Sequence, residues 1–321
     1  MTNSGLRFLH NGLQIPAKLI STVESWWIPS ELAEGWLDGL PEAVQALSEK
    51  WDITFDIEIP ESNVTLVLLG HSSQLGPVVF KSSPIVDEFR SEASALKIAG
   101  GDAVSRLYDW DIDRSAMIVE RIMPGNQLLN ANLPDDEATT ISATLATKFW
   151  RDVPDPTGLH VLRSWMRDLY DWRSRPERIP DGTIAMAQQI GEELLNGTIS
   201  PRLTHGDLHH QNILQRESGE WIVIDPKGLY GDPAFEIAAW MYNPPGVANR
   251  SDYVDLAKRR LDICSEIWGI DRAHLVRWAF VGAVLSAVWS ASGADGPDDS
   301  DPGDWWSGSL KVAEAMRPML Q

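Results

Sequence analysis

The residues best suited to chemistry lie in two short stretches, at 203–214 and 221–228. Asp207 stands in a polar turn between apolar segments, and Asn212 follows five residues later, where an apolar run begins. After a polar turn at 217–220, a second apolar run ends on Asp225. Two short apolar runs joined by a tight turn predict a β-hairpin, whose ends lie side by side. We therefore expect Asn212 and Asp225 to be neighbours, with Asp207 close to both.

The chemistry that these three side chains suit is the binding of a hard cation. Two carboxylates and an amide oxygen are ligands that Mg²⁺ accepts, and Mg²⁺ usually keeps several waters and shares substrate phosphates. One alternative is that Asp207 and Asp225 are ordinary solvated loop residues, but three polar groups spaced around one hairpin disfavour it. A zinc site using His205 and His209 is the other alternative. We expect these histidines to brace the loop by hydrogen bonds instead.

The same stretch resembles the catalytic segment of protein kinases. Asp207 and Asn212 have the spacing of H-R-D-x-x-x-x-N, and Asp225 follows the next strand as the metal-binding Asp does. Gly206 replaces the Arg, and Asp225-Pro226-Lys227 replaces D-F-G, which resembles the aminoglycoside phosphotransferases. The run 224–238, IDPKGLYGDPAFEIA, and the segment from 36 to Trp51 are similar to the streptomycin 6-kinase/hydroxyurea phosphotransferase family.

This resemblance implies an enzyme that uses ATP and Mg²⁺ to phosphorylate a hydroxyl group of a small molecule. In that reading Asp207 accepts or orients the hydroxyl proton, while Asn212 and Asp225 hold Mg²⁺. Lys227 either touches phosphate or substrate or is a surface lysine. The family name implies an aminoglycoside acceptor such as streptomycin, phosphorylated at its 6-position.

The elements that must position these residues predict an α+β, bilobal, protein-kinase-like fold. A small N-terminal lobe, residues 1–122, is expected to hold a helical segment followed by an antiparallel sheet, and a larger, mostly helical lobe spans 123–321. The helical segment, at 1–50, is expected to break at Pro16, Pro29 and Pro41. Alternating and apolar runs predict strands in the first lobe, at 53–59, 64–69, 77–81, 104–107 and 116–120, with a turn at 109–114 between the last two. An acidic helix is predicted at 86–99 and ends at Gly100-Gly101.

The first lobe offers the candidate nucleotide site. Lys81 ends an apolar strand, and either Glu88 or Glu92 on the following helix is spaced to pair with it. We choose Glu92, because the run 92–96 resembles the family's helix. The turn at 60–63, with Ser62 and Asn63, is the candidate phosphate loop.

The segment 119–125 has the position of the connector between lobes in kinase-like folds. Backbone groups there, at Glu120 and Ile122, are expected to hydrogen-bond adenine. The boundary between the two lobes is placed near residue 123 for the same reason.

Helical patterns dominate the second lobe. Apolar periodicity predicts helices at 135–150, 160–173, 183–195, 252–268, 271–290 and 305–320. A further helix is expected to begin at Pro233, with Asp232 in a structural role as its cap. Cys264, the one cysteine, is expected to be a small buried side chain.

The net charge of −19 argues against nucleic acid and anionic membranes as partners. The start of the chain lacks a basic and apolar secretory pattern, and the apolar stretch 278–291 is too short to span a bilayer. A cytoplasmic protein is therefore expected. The sequence carries no signal for an oligomeric state.

The acceptor is expected to be a cationic, hydroxyl-rich small molecule. The acidic excess favours cations, and an acid-rich segment at 295–304 precedes Trp305 and Trp306, a combination that suits a guanidinium or ammonium group. Acidity also serves solubility, so this expectation has a plain alternative. Two other functions stay open: a metabolic kinase of an aminosugar or polyol, and a catalytically inactive nucleotide-binding protein.

Overall fold

The structure is a computed structural model, and it describes residues 7–9, 12–25, 28–56, 64–173, 178–197, 199–292 and 305–320. The chain forms two compact units. The first comprises residues 1–101 and 105–122, and the second comprises residues 102–104 and 123–321.

The first unit combines two helices, a five-stranded antiparallel sheet and one further helix. The helices are α1 (Ala17–Ser25), α2 (Ser30–Lys50) and α3 (Val86–Ala99); the strands are β1 (Ile53–Phe55), β2 (Leu66–Ser72), β3 (Gly76–Ser82), β4 (Leu107–Asp111) and β5 (Ala116–Glu120). The strand order is β1-β2-β3-β5-β4. The antiparallel sheet predicted for this part of the chain is therefore present.

The two faces of β3 have different partners. Val78 and Phe80 are fully buried in a core that they share with apolar residues of α2, such as Leu37 and Leu40. Because successive side chains of a strand point to opposite faces, Lys81 lies on the face away from α2. The strand thus supplies an apolar side for packing and a second side on which a charged group can stand.

Three predictions in the first unit need correction. Pro41 lies inside α2 and does not break it. The strand predicted at 104–107 and the turn predicted from 109 are both shifted, because β4 runs through 107–111 and pairs with β5. The acidic residues between 109 and 113 indicated a turn. In the structure, all five side chains of β4 are half-buried, because β4 is an edge strand of the sheet and stays in contact with water.

The second unit is mostly helical, with two small sheets. Its helices are α4 (Asp135–Phe149), α5 (Leu162–Trp165), α6 (Arg167–Tyr170), α7 (Asp181–Leu195), α8 (Ile237–Tyr242), α9 (Tyr253–Trp268), α10 (Arg272–Ser292) and α11 (Trp305–Met316). Its strands are β6 (Pro124–Gln127), β7 (His160–Val161), β8 (Arg202–Thr204), β9 (Ile213–Arg216), β10 (Trp221–Val223) and β11 (Leu229–Gly231). The sheet orders are β10-β9-β6 and β7-β11-β8.

Helix α10 forms the centre of the second unit. It packs against α7, α8 and α11, and its residues from Leu275 to Ala291 supply much of the core. By length and composition alone, the stretch Arg272–Ala291 could cross a membrane; it is six residues longer at its start than the apolar stretch 278–291, which is too short by itself. The helix predicted at 271–290 is present, and 67% of its most apolar window is buried within the protein.

The helix predicted at 160–173 is wrong in its first part. His160 and Val161 form a strand, because the N–H of His160 donates to the carbonyl of Gly228 at 3.0 Å. Two separate turns of helix, α5 and α6, follow and meet at Met166. Strands β6, β8 and β11 were not predicted at all. These misses involve short strands whose partners are distant in the sequence.

Candidate functional site

The predicted hairpin is present in the second unit. Strands β9 and β10 pair antiparallel, with Ile213 opposite Val223. Beyond the last pair, the N–H of Ile224 donates to the carbonyl of Asn212 at 2.9 Å. Asn212 and the residue before Asp225 are thus joined by a backbone hydrogen bond. The hairpin carries the two proposed metal ligands at its open end.

The side chain of Asn212 connects this end to Asp207. Its Nδ2 donates to the backbone carbonyl of Asp207 at 3.0 Å. A short 3-10 turn at His210–Asn212 sets this reach, and the N–H of Asn212 donates to the carbonyl of His209. Because the amide nitrogen is used inside the protein, the amide oxygen is the atom that Asn212 offers to a cation.

His205 is buried and neutral. Its Nε2 donates to the carbonyl of Ile224 at 2.8 Å, and its Nδ1 accepts the N–H of Asp207 at 3.3 Å. Burial lowers the pKa of His205 to about 3. The bracing role expected for this histidine is confirmed, since one ring ties the segment around Asp207 to the segment around Asp225.

Glu236 holds the backbone of the loop that carries Asp207. Its carboxylate accepts the N–H of His205 at 2.8 Å and the N–H of Gly206 at 2.9 Å, and the indole of Trp150 donates to it at 3.4 Å. Burial raises the pKa of Glu236 to about 7, although these hydrogen bonds act against that rise. A buried acid therefore fixes the backbone immediately before Asp207.

Gly206 explains why the Arg of the kinase pattern is absent here. Its φ is +80°, a conformation that favours glycine. A Cβ at this position would lie 2.9 Å from the Cβ of Leu229 and 3.4 Å from that of Lys227. With glycine at position 206, the backbone can lie close to Leu229. The successive N–H groups of His205 and Gly206 then reach the carboxylate of Glu236.

Asp225 occupies an unusual backbone position. Its φ is +58°. This backbone conformation costs a non-glycine residue free energy, and residues that adopt it are found most often at functional sites. The residue is exposed, whereas Pro226 after it is buried. The N–H of Lys227 donates to the carbonyl of His205 at 2.8 Å. The backbone turn therefore presents the Asp225 carboxylate to solvent next to the Asp207 loop.

His209 and His210 follow Asp207 and have different surroundings. His209 Nδ1 accepts the N–H of Gln211 at 3.3 Å, which confirms its bracing role, and its Nε2 lies 3.8 Å from Asp207 Oδ1. His210 is buried and stacks on Trp240, with ring centroids 3.9 Å apart and planes 9° apart. Burial lowers the pKa of His210 to about 3.

Trp240 also contacts a buried ion pair. The guanidinium of Arg260 lies 5.3 Å from the indole centroid, donates to the carbonyl of Trp240 and pairs with Asp135 at 2.6 Å. Burial acts to raise the pKa of Asp135, but the hydrogen bonds from Arg260 hold it below its usual value. The ring of His210, three residues after Asp207, is thus stacked on an indole that contacts the Arg260–Asp135 ion pair.

The first unit contains the second group of candidate residues. Lys81 on β3 and Glu92 on α3 form a salt bridge, and both side chains are largely buried. Of the two glutamates spaced for this pairing, the structure selects Glu92. Helix α3 ends at Gly100, whose φ of +67° gives a left-handed cap, as the sequence predicts.

The remaining nucleotide candidates have mixed outcomes. Glu120 ends β5, and its N–H donates to the carbonyl of Arg106 at 2.8 Å. Ile122 is buried and follows the strand. Ser62 and Asn63 lie outside the described residues. The nucleotide roles of these residues stay predictions.

The residues at the hairpin fit a magnesium ion better than a zinc ion. Within the described ranges, no group of three His, Cys, Asp or Glu side chains forms a metal cluster. Two oxygen ligands, from Asn212 and Asp225, suffice for Mg²⁺, which completes its shell with water and phosphate. His205 uses both ring nitrogens in hydrogen bonds within the protein, which leaves neither for a metal.

Residues 50–294 match the family model described as aminoglycoside/hydroxyurea antibiotic resistance kinase. The chain belongs to this family. It is a small-molecule kinase, and the resemblance seen in the catalytic segment is confirmed. The kinase-like α+β fold is confirmed as well by a choline kinase from Streptococcus pneumoniae, with a TM-score of 0.59 at 12% identity over 86% of this chain and 99% of that chain.

Two relatives show how varied the members of this group are. Streptomycin 6-kinase from Streptomyces glaucescens is 28% identical over 89% of this chain and 92% of its own length. Streptomycin 3''-kinase from Klebsiella pneumoniae is also 28% identical, over 75% of this chain and 90% of its own. The two names specify different positions on the acceptor, at the same identity to this chain.

Sequence reasoning missed Glu236 as a residue of this kinase's catalytic segment. The residue lies within the run 224–238 that carries the family resemblance, but it is 30 residues from Gly206, and it stands inside an apolar helix start. A charged residue flanked by Phe235 and Ile237 is the signal that could have found it, because buried acids need partners. Asp232 was placed correctly: its Oδ1 caps Ala234, and its Oδ2 accepts from Trp278 and contacts His274.

Proposed function

We propose that the protein transfers the γ-phosphoryl group of ATP, with Mg²⁺, to a hydroxyl group of an aminoglycoside, with the 6-hydroxyl of streptomycin as the first candidate. The observation that carries this proposal is the hydrogen-bonded arrangement of Asp207, Asn212 and Asp225 around one hairpin. Phosphoryl transfer needs positioning and charge neutralisation more than covalent chemistry, so a rigid loop with oxygen ligands suits it.

Asp207 would receive or orient the proton of the acceptor hydroxyl. The carboxylate is partly exposed, which leaves it accessible to an acceptor. Its backbone is held by His205 and Asn212, and the two residues before it are held by Glu236. An acid held in this way performs general base catalysis without a large rearrangement.

Asn212 and Asp225 would hold Mg²⁺ through their side-chain oxygens. When bound, the ion neutralises charge on the phosphates. Asp225 supplies a negative charge and Asn212 a neutral oxygen, and both side chains stand on backbone fixed by the hairpin. In the first unit, Lys81 would steady the α- and β-phosphates, with Glu92 setting the direction of its ammonium group.

The cationic acceptor rests on family membership and on the charge of −19. Residues 295–304, which the sequence suggested as a cation site, lie outside the described residues. A cytoplasmic location, where ATP is available, also stays a prediction.

The experiment is a phosphorylation assay with ATP, Mg²⁺ and matched acceptors, read by product mass. Streptomycin, another aminoglycoside, glucosamine and glucose are compared at two salt concentrations, with Asp207→Ala as the inactive control. We expect the charged acceptors to be preferred, and the preference to shrink as salt screens charge. Equal or better use of glucose without salt dependence would instead favour a kinase of neutral polyols.

A further inference from the structure

Helix α2 in the first unit contacts the strand that carries Lys81 by more than apolar packing. Its Trp36 is half-buried at the edge of the core that α2 shares with the sheet. The indole N–H of Trp36 donates to the hydroxyl of Ser82, the residue directly after Lys81, at 3.0 Å. A phenylalanine ring would pack at this edge as well, so the hydrogen bond is a feature that packing alone does not require.

Ser82 is the residue at which strand β3 ends. Its pairs with Leu66 on β2 and with Ala116 on β5 are the last along β3. The ends of structural elements open more readily than their middles. Ser82 is nonetheless only 1% exposed, because its side chain faces α2. The hydrogen bond from Trp36 therefore anchors β3 at the residue where its pairing stops.

Lys81 and Ser82 point to opposite faces of the sheet, because successive side chains of a strand alternate. The hydroxyl of Ser82 is held from the α2 side, while the ammonium group of Lys81 pairs with Glu92 on the other side. The backbone between two such contacts has little freedom to twist. Holding Ser82 thus sets the direction in which the Lys81 side chain leaves the strand.

The next residue, Ser83, ties the same strand end to helix α3. Its N–H donates to the carbonyl of Ser115 at 3.1 Å, and its hydroxyl accepts the N–H of Ile85 at 3.2 Å. Ile85 directly precedes α3, and Glu92 follows Ile85 by seven residues, which is about two helical turns. Both partners of the salt bridge therefore extend from one short segment, 82–85, whose first residue is held by α2.

We propose that Trp36 is a positioning residue of the nucleotide site: its hydrogen bond to Ser82 directs the ammonium group of Lys81 toward phosphate. Helix α2 lies almost entirely before the residues 50–294 that match the family model, so the donor of this hydrogen bond lies outside the matched range. The inference rests on the proposed function, because Trp36 acts through the phosphate contact proposed there for Lys81.

The test is the Kd of ATP with Mg²⁺ and without acceptor, measured by calorimetry on the full chain. Trp36→Phe keeps an aromatic ring and loses the N–H. Its Kd is expected to rise by about 2- to 10-fold, the range of one neutral hydrogen bond. Ser82→Ala removes the acceptor of the same hydrogen bond, and a similar rise is expected.

A double variant separates positioning from a general loss of stability. In Lys81→Met no ammonium group is left to direct, so adding Trp36→Phe is expected to cause no further rise in the Kd. A merely structural role of Trp36 would instead weaken ATP binding by the same factor in both backgrounds. Additive effects of the two substitutions would therefore overturn the proposal.

Trp51→Phe is the matched control. Trp51 directly follows α2, and its indole N–H donates to Asp109 on the edge strand β4 at 2.7 Å. The same substitution thus removes a hydrogen bond between this end of α2 and the sheet without touching Ser82. Denaturant unfolding is expected to show a loss of stability, while the Kd of ATP stays that of the wild type.

An equal rise in Trp51→Phe, or no rise in Trp36→Phe, would overturn the proposal. Should Trp36→Phe fail to fold, Ser82→Ala decides in its place. Failure of the proposed function gives a different result. Wild-type protein that binds no ATP, or binds it equally well after Lys81→Met, would refute the nucleotide role of Lys81 and this inference with it. ATP binding that depends on Lys81 but not on Trp36 would refute this inference alone.

Discussion

The two groups of candidate residues are held in place in different ways. In the second unit, Asp207, Asn212 and Asp225 stand on backbone that is tied by main-chain hydrogen bonds and by the buried side chains of His205 and Glu236. In the first unit, Lys81 is positioned by a salt bridge to Glu92, between a strand and the next helix.

This difference has consequences for mutation. Changing a support in the second unit is expected to alter both stability and turnover, because the support is part of the core. Changing the pair in the first unit is expected to act mainly on nucleotide handling, since β3 keeps its apolar face against α2. The substitutions below test this contrast, in order of decreasing expected effect.

Asp207→Ala is expected to reduce turnover by about 10²- to 10⁴-fold, the usual effect of losing a positioned acid or base. Nucleotide affinity is expected to stay nearly unchanged, and so is the thermal midpoint, because the carboxylate is not a core group. Steady-state kinetics and nucleotide titration measure both. Retention of more than about a tenth of the rate would remove Asp207 from this role.

Lys81→Met keeps the apolar stem and deletes the charge. Hydrogen bonds to charged groups contribute about 1.5–3 kcal/mol, so the KM for ATP is expected to rise by about 10- to 150-fold. Glu92→Gln leaves the ammonium but loosens its position, and a smaller rise is expected. Should Lys81→Met match the wild type, another lysine, such as Lys227, must contact the phosphates.

Glu236→Gln replaces one acceptor oxygen with an amide that faces a backbone N–H. We expect a loss of about 1–3 kcal/mol in the free energy of unfolding, from an unsatisfied buried donor. Turnover is expected to fall as well, since the N–H groups of His205 and Gly206 set the loop. Denaturant unfolding and kinetics on the same preparation measure the two effects, and a change in neither would show that the loop is held by other contacts.

The pH dependence of this variant gives an independent check. The pKa of Glu236 is about 7 in the folded state and near 4.5 in the unfolded state. The folded state therefore binds more protons between these values, and this residue reduces stability as pH rises from 4.5 to 7. That contribution is expected to be absent in Glu236→Gln.

His210→Phe is expected to have the smallest effect near neutral pH. The ring can still stack on Trp240, and the buried Nδ1 of His210, which has no partner among the described residues, is replaced by carbon. The folded pKa is about 3, against an ordinary value of 6.5, so the wild type loses stability as pH falls through this window. The variant should lose about 1.4 kcal/mol less per pH unit there. An unchanged slope, with His205 still present, would mean that His210 titrates normally.

The hairpin of β9 and β10 was predictable because its signal is local. Asn212 and Asp225 flank a turn of few residues, and apolar runs on either side leave one arrangement. For Lys81, the adjacent strand and helix limited the partners to Glu88 and Glu92, and the choice of Glu92 rested on the family resemblance of residues 92–96. The geometry that holds the Asp207 loop was not predictable, because it depends on Glu236, whose partners His205 and Gly206 lie 31 and 30 residues before it along the chain.

Nucleotide binding with and without Mg²⁺ tests the division between the two groups most directly. Calorimetry on wild type, Asp225→Asn and Lys81→Met is compared in both conditions. We predict that Asp225→Asn weakens binding only when Mg²⁺ is present, because it removes a charged metal ligand. Lys81→Met is predicted to weaken binding in both conditions, because its contact is with phosphate. Equal losses for Asp225→Asn with and without Mg²⁺ would contradict the assignment of the hairpin as the metal site.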